Sequence, residues 1–349
     1  MVFQNVDLDS HEKIVFCNDD KTGLRAIIAI HSTALGPAAG GCRLWSYQSE
    51  EEALFDVLKL SKAMSYKNAM AGLDFGGGKA VIIKTEDFSN ADEIYEKFGE
   101  FVDQFNGSYI TAEDVGMTMR IMQLIARNTR HVTGLPKEGS DAGGDPSPKT
   151  SWGILKGIEA AVRFKLGKSE LDGLTIAVQG VGNVGYHLCK YLSKVGVNIL
   201  VADIDDNRVK RVIKEFNVTA IDYEDILYQK VDVLSPCALG SILNKQSIPR
   251  LKTEIIAGGA NNQLESDQDG RRLFERGILY APDYVINGGG IINVAAEYYG
   301  DADDDQVIKK VSAIGPRLNN IFKEAERLKE PTNEIADAQA ESIISIGKS

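Results

Sequence analysis

Residues 174–192 read LTIAVQGVGNVGYHLCKYL, a run whose order of residues points to one architecture. Leu174–Gln179 is a short apolar run with β-branched residues, the composition of a buried strand. Gly180, Gly182 and Gly185 follow with the spacing GxGxxG, and a helical stretch, Tyr186–Lys194, comes next. Three glycines alone mark any turn. Between a strand and a helix each has its own role. Gly180 makes the tight turn, Gly182 lets backbone approach a pyrophosphate, and Gly185 lets helix and strand pack closely. Asn183 and Val184 complete this cradle. Phosphates bound here lie at a helix N-terminus, where free N–H groups and the helix dipole attract anions. The next strand, Asn198–Ala202, ends at Asp203, whose carboxylate suits ribose hydroxyls and repels a 2′-phosphate. NAD is therefore the expected cofactor rather than NADP, and Arg208 is the nearby cation that works in the opposite sense. The alternative is a Rossmann-like fold that binds no cofactor.

Working outward, the chain beyond residue 148 alternates strands and helices. Val231–Leu234, Glu254–Ala257 and Ile278–Ile286 read as further strands, which makes βαβ units and a parallel sheet. The tail from about Gln306 to Ile346 is helical, with a break at Pro331. Upstream, Pro136–Pro148 is rich in Gly, Pro and Asp and reads as a linker, with Gly143–Pro148 a candidate hinge. The expectation is an α/β protein of two domains with an active-site cleft between them. Residues 1–135 form an α/β substrate-binding and oligomerisation domain, and 136–330 a Rossmann-type NAD-binding domain. A C-terminal helix, about 331–349, packs back on the first.

The first part mixes strands (Lys13–Cys17, Leu24–His31, Tyr109–Thr111) with a helix opened by Ser49 and Glu50-Glu51-Glu52, a serine N-cap with carboxylates in the first turn. It also carries the run SKAMSYKNAMAGLDFGGGKAVIIK, with Lys67 and Lys79. Lys79 follows three glycines and is read as opening the apolar strand Ala80–Ile83. A lysine so placed is poorly solvated, and burial with a second cation nearby lowers its pKa toward neutrality. A lysine tuned in this way is a general base. The bland alternative is a solvated lysine after a turn. A phosphate-binding P-loop fails on spacing, because Leu73 stands where glycine is needed and Ala80 where Ser or Thr would hold Mg²⁺.

The chain has 349 residues, enough for two ordinary domains with buried cores. Its net charge of −11 argues against nucleic-acid or anionic-membrane partners. The sequence has no membrane-length apolar stretch and no signal-peptide pattern at MVFQNVDLDSHEK. Cys17, Cys42, Cys189 and Cys237 are scattered, with neither a CxxC pair nor a metal-like grouping. Reduced, packed thiols, no metal and a cytoplasmic location are the expectation. Cys237, in Pro236-Cys237-Ala238, reads as part of a loop after a strand and not as a nucleophile, since no histidine is matched to it.

Seven stretches carry a resemblance over nearly the whole chain: GPAAGGCRLW (36–45), MSYKNAMAGLDFGGGKAVI (64–82), YITAEDVG (109–116), DPSPKTSWG (145–153), VQGVGNVGYHLCKYL (178–192), IAGGANNQL (256–264) and YAPDYVINGGGIINV (280–294). Together they resemble the superfamily of glutamate, leucine, phenylalanine and valine dehydrogenases, nearest its leucine-specific members. The resemblance implies NAD-dependent reversible oxidative deamination of an L-amino acid to the 2-oxo acid, ammonium and NADH, by a homo-oligomer. It implies that Lys67 binds the substrate carboxylate, that Lys79 activates the water attacking the imine, and that Asp114 shuttles protons. Thr150, Asn261 and Asn287 then lie near the nicotinamide and its ribose, with Ala238 beside the cofactor. Gly40, Gly41, Ala39, Ala112, Ile291 and Val294 line the substrate site. The residue types agree with these roles, although Asp114 taken alone reads as a helix cap or an ion-pair member.

Glutamate-specific members hold the side-chain carboxylate with a lysine and a serine at the positions of Ala39 and Val294. Losing both partners costs that carboxylate several kcal/mol or more, on the order of a buried unpaired charge. An apolar substrate is left. Leucine enzymes usually read GPALGG, so Ala39 opens space, whereas Ile291 is bulkier than the usual valine. A methylene discriminates by only about 1–3 kcal/mol. The expected substrates are leucine, valine and isoleucine, with phenylalanine or another aromatic amino acid the alternative. A non-catalytic NAD-binding regulator is a further reading, disfavoured because Lys79 and Asp114 are both present.

Overall fold

The computed structural model describes residues 11–85, 88, 91–136, 143–238, 240–300 and 302–347. The chain divides into two compact units, one of residues 1–145, 294–304 and 340–349, the other of 146–293 and 305–339. This division falls later than the expected boundary at 135/136. Residues 137–142 of the expected linker lie outside the described residues.

In unit 1 the chain runs β1 (Lys13–Asp19), β2 (Leu24–Ser32), β3 (Ala38–Ala39), β4 (Cys42–Trp45), α1 (Glu50–Ala71), β5 (Gly76–Ile83), α2 (Ala91–Asp103), β6 (Tyr109–Ile110) and α3 (Met119–Ile125). The sheet order is β1-β2-β5-β3-β6, with β4 also on β5. β2 is antiparallel to both of its neighbours, β1 and β5, while β3 and β4 run parallel to successive halves of β5. β2 is almost continuously apolar because both of its faces are covered. Ile27 and Ala29 pack with Ala53, Val57 and Leu58 of α1. Leu24, Ala26, Ile28 and Ile30 share the opposite cluster with Ile94 and Phe98 of α2 and Met122 of α3. Each such aliphatic side chain contributes about 1.5–3 kcal/mol when fully buried.

α1 is capped by Ser49, whose side chain accepts from Glu52 N, and it ends at Gly72 in the left-handed conformation (φ 68°). It packs directly on β5. A Cβ at Gly77 would lie 2.1 Å from the backbone nitrogen of Ser65, so the glycine there is demanded by helix–sheet contact and not by a turn. This corrects the expectation for Lys79. β5 already begins at Gly76, and Lys79 sits inside it, opposite Ala29 of β2 and only 5% exposed.

Unit 2 begins with α4 (Ser147–Leu166), followed by β7 (Thr175–Gln179), α5 (Asn183–Leu192), β8 (Asn198–Ala202), α6 (Asp206–Glu215), β9 (Val218–Ala220), β10 (Lys230–Pro236), β11 (Lys252–Ile256), α7 (Asp267–Glu275), β12 (Leu279–Tyr280) and α8 (Asp283–Ile286). Then come α9 (Gly289–Tyr299), α10 (Asp304–Ser312), α11 (Ile314–Leu328) and α12 (Thr332–Gly347). The sheet order is β12-β11-β10-β7-β8-β9 with all neighbours parallel. Numbered from its first strand this is 3-2-1-4-5-6, the doubly wound Rossmann order, with the switch point between β7 and β10. The expected strand Ile278–Ile286 is corrected: β12 stops at Tyr280, and Pro282, which cannot donate to a ladder, leads into the short helix α8. The tail also differs from expectation. α12 starts in unit 2, where Thr332 Oγ1 donates to Tyr280 O, and only its last residues join unit 1, where Tyr66 donates to Glu341 at 2.6 Å. No helix among the described residues is long and apolar enough to cross a membrane.

Candidate active site

Within unit 1 the Gly40-Gly41 pair separates β3 from β4. Gly40 N donates to Ile110 O, and Tyr109 OH returns a bond to Gly40 O at 2.8 Å. A Cβ at Gly41 would lie 2.8 Å from Glu113 O and 3.0 Å from Asp114 Cβ. Glycine at 41 thus lets the segment after β6 come close enough to carry Asp114 to β5. There Lys79 Nζ meets Asp114 Oδ2 at 2.9 Å, with the lysine side chain 6% exposed. Burial alone would raise the Asp114 carboxyl, but the Lys79 ammonium and then the Arg43 guanidinium outweigh it and hold it below the usual carboxylate range. Lys67 is half-buried on α1, next to Asn68, whose amide donates to Gly76 O and Ala39 O.

Ala39 is 1% exposed and packs in a cluster with Phe75, Ile110 and Ala295, flanked by Leu73 and Tyr298. Phe75 stacks on Tyr299 (centroids 5.1 Å, 23°) and meets Tyr298 edge-on at 6.0 Å. Ala112 is buried, and its carbonyl accepts from Cys42 N. Ile291 and Val294 both lie on α9, the former buried and counted with unit 2, the latter half-buried and counted with unit 1. Further along α9, Glu297 accepts from the backbone N–H groups of Gly134 and Leu135 at 2.8 and 3.0 Å; burial raises its carboxyl against these two bonds.

In unit 2 the cradle forms at the switch point. Gly180 has φ 89°, and a Cβ there would lie 2.6 Å from Ala238 Cβ, just past the end of β10. A Cβ at Gly185 would lie 2.0 Å from Gly180 O, whereas at Gly182 it would meet only Arg208 Nη1 at 3.6 Å. Gly185 is thus closed by packing, and Gly182 stands open for a ligand. The helix starts at Asn183, ahead of the expected Tyr186. Asp203 Oδ2 accepts from Val181 N at 2.8 Å and Oδ1 from Asp205 N at 2.9 Å, with Arg208 Nη1 3.8 Å away. A carboxylate has about four lone-pair sites, so hydroxyls can still bond to it.

Asn287 Nδ2 donates to Asn261 Oδ1 at 2.7 Å, while its own Oδ1 is buried with no hydrogen-bond partner. Thr150 Oγ1 lies 2.9 Å from where a Cβ would stand at Gly290, just past Asn287. Val184 accepts from Ser151 Oγ through its carbonyl, and its Cγ1 approaches Gly259. The open glycine, the braced carboxylate and the orphaned amide oxygen fit a dinucleotide. Burial pushes the Cys237 thiol up, as it does Cys42 and Cys189, so none is a ready nucleophile.

Residues 11–131 match the profile of the Glu/Leu/Phe/Val dehydrogenase dimerisation domain, and residues 200–343 that of Glutamate/Leucine/Phenylalanine/Valine dehydrogenase. This chain belongs to the glutamate/leucine/phenylalanine/valine dehydrogenase family. It is therefore an amino-acid dehydrogenase, of a family that uses nicotinamide dinucleotides. It is 47% identical to leucine dehydrogenase of Geobacillus stearothermophilus, over 98% of this chain and 93% of that one. Phenylalanine dehydrogenase of Bacillus thermotolerans is 42% identical over 97% and 89%. The crystal structure of L-tryptophan dehydrogenase from Nostoc punctiforme superposes with a TM-score of 0.86 at 42% identity, covering 97% of each chain.

For this dehydrogenase, two sets of neighbours left no local mark in the sequence. Arg43 Nε donates to Asp114 Oδ2 at 3.1 Å, Arg43 Nη1 reaches Asp56 at 3.0 Å, and Tyr47 OH donates to Asp56 at 2.7 Å. Arg43 stands in the quoted GGCRLW stretch, but nothing local pairs it with Asp56 of α1 or with Asp114. Phe75 was missed in the same way, since it joins Ala39 only through the pairing of β3 with β5 and the packing of their shared cluster.

Proposed function

We propose that this dehydrogenase catalyses the NAD-dependent, reversible oxidative deamination of leucine, valine and isoleucine. The pair formed by buried Lys79 and half-buried Asp114, 2.9 Å apart, carries the reading. Nζ and Oδ2 are close enough to exchange a proton directly. Lys67 holds the substrate carboxylate, and Gly40 and Gly41 keep the backbone close beside it. NAD, when bound, supplies the hydride acceptor. Gly180, Gly182, Asn183, Val184 and Gly185 hold its phosphates, Asp203 its ribose, and Thr150, Ala238, Asn261 and Asn287 its nicotinamide end. Asp114 takes the proton released from the substrate amine. Lys79, in the amine form left once it has released its own proton to solvent, then takes one from the water that attacks the imino carbon, and Asp114 returns a proton to the departing ammonia. Asp203, with its carboxylate 5% exposed and braced by two N–H groups, supports NAD over NADP. Residues 1–135 serve substrate binding and assembly and residues 136–330 the cofactor.

The apolar neighbours of Ala39, namely Phe75, Ile110 and Ala295, support an apolar substrate side chain. The match to a dimerisation domain supports a homo-oligomer. Four free cysteines support the cytoplasm. The small residue at Ala39 and the relatives that act on tryptophan and phenylalanine favour a second reading, in which the substrate is aromatic. Initial rates of NAD reduction at alkaline pH with leucine, valine, isoleucine, phenylalanine, tryptophan and glutamate decide between them. Highest kcat/KM with the branched set is expected. Highest kcat/KM with phenylalanine or tryptophan would replace the substrate assignment and leave the acid–base assignment intact.

A further inference from the structure

The acid–base pair of unit 1 does not end at Asp114. Arg43 and Lys79 both donate to the same oxygen, Oδ2, at 3.1 and 2.9 Å. Arg43 Nη1 in turn bonds both oxygens of Asp56, at 3.0 and 3.3 Å, and Tyr47 OH fixes Asp56 Oδ2 at 2.7 Å. These side chains form one connected run from β5 through the segment after β6 and β4 to α1. The Arg43 and Asp56 side chains are only 23% and 25% exposed. An exposed ion pair holds little geometry, whereas a partly buried guanidinium shared by two carboxylates is fixed in place. Its planar fork spans both partners at once, which a lysine at this position cannot do.

We propose that Arg43 is a positioning residue for the deamination: anchored by Asp56 and Tyr47, it keeps the Asp114 carboxylate ionised and turned onto Lys79. The proposal rests on the assignment of Lys79 and Asp114 as the acid–base pair. The ionisable groups facing Asp114 are Lys79 of β5, Arg43 and the Cys42 thiol of β4, and the Tyr109 phenol of β6. Burial raises both Cys42 and Tyr109, so the two cations are the charges that count near neutrality. Asp56 faces Arg43 and Tyr47. Ionised Asp114 is the form that accepts the substrate's proton. Removing one of its two cations raises its pKa and moves to higher pH the most acidic limb of the pH–rate profile, the one that protonation of Asp114 sets and that lies below the step set by Lys79.

The test is the pH dependence of kcat for the full-length enzyme and its Arg43→Met, Arg43→Lys and Asp56→Asn variants, with saturating NAD and leucine (or the preferred substrate). Arg43→Met should raise the acid limb by about one pH unit, the lower end of what an adjacent opposite charge contributes. Its kcat should fall about 10–100-fold while KM changes little. Arg43→Lys should restore the limb and only part of kcat, because charge returns without the fork. Asp56→Asn, which leaves the guanidinium charge in place, should not raise the limb. If Arg43→Met does not fold, Arg43→Gln is used with the same expectation. Loss of kcat with an unmoved limb in the neutral variants, or equal losses in Arg43→Met and Asp56→Asn alongside a common fall in melting temperature, would mean a structural role and overturn the proposal. Lys79→Ala and Asp114→Asn are assayed alongside. Retained turnover in those two would instead sink the acid–base assignment beneath it.

Discussion

The two units build their sites from opposite materials. Unit 2 makes its cradle from backbone: a glycine turn, a helix start, and one carboxylate bonded to two N–H groups. Unit 1 makes its candidate site from charged and polar side chains partly withdrawn from water, with Lys79, Asp114, Arg43, Asp56 and Tyr47 in one run drawn from distant parts of the chain. Holding a dinucleotide needs N–H groups at a helix end, which any sequence able to turn there can supply. Moving protons needs groups whose charge states are set by neighbours, and those neighbours must be brought together in space. Binding and chemistry should therefore fail separately when either region is damaged.

The sharpest way to break the comparison is Lys79→Ala. Turnover should fall by about 10³-fold or more, toward the upper range for a lost acid–base group. NAD affinity, followed by fluorescence titration, should hold. Equal loss of both would mean that the two regions are not separable in function. Gly182→Val is the reverse experiment. A side chain there meets only the end of Arg208, so the melting temperature should stay near that of the wild type. NAD affinity should weaken by about tenfold or more, because the branched side chain occupies the pyrophosphate approach. An unchanged NAD affinity would remove Gly182 from the cofactor cradle.

The smallest expected effect concerns stability and pH. Asp114 has a folded pKa below its unfolded value of about 3.9. Its contribution to stability is therefore fully present above the unfolded value and is lost as pH falls through the folded one. Asp114→Asn should cost about 2 kcal/mol in urea unfolding at pH 6, as for a hydrogen bond to a charged group, and progressively less on acidification. A constant difference across that range would mean that the carboxylate's charge does not stabilise unit 1.

Much of the fold was legible because its signals are local. The strand–glycine–helix run around Gly180, the Asp203 that ends the next strand, and the serine cap of α1 each depend on a few neighbouring residues. Misreadings came where local signals were ambiguous. The glycines before Lys79 read as a turn, yet Gly77 is required by the helix lying against it. Ile278–Ile286 is apolar enough for a strand, but Pro282 ends the ladder and a helical turn follows. Arg43 gave no sign of its partners, since Asp56 and Asp114 are 13 and 71 residues away.

The sequence alone was enough for the parallel α/β fold and for the glycine run between its first strand and helix, and it nominated Lys79, whereas Asp114 entered only through the family resemblance. Spacing along a strand, turn and helix is written in consecutive residues. Only the tertiary structure decided that Lys79 lies inside a buried strand, that Gly41 admits Asp114 to it, and that Arg43 joins them to Asp56. Ala39 likewise acquires its neighbours, Phe75 and Ala295, only through packing. Charge states and pocket shape are set by groups adjacent in space, and contacts across many residues leave no mark on local periodicity or composition.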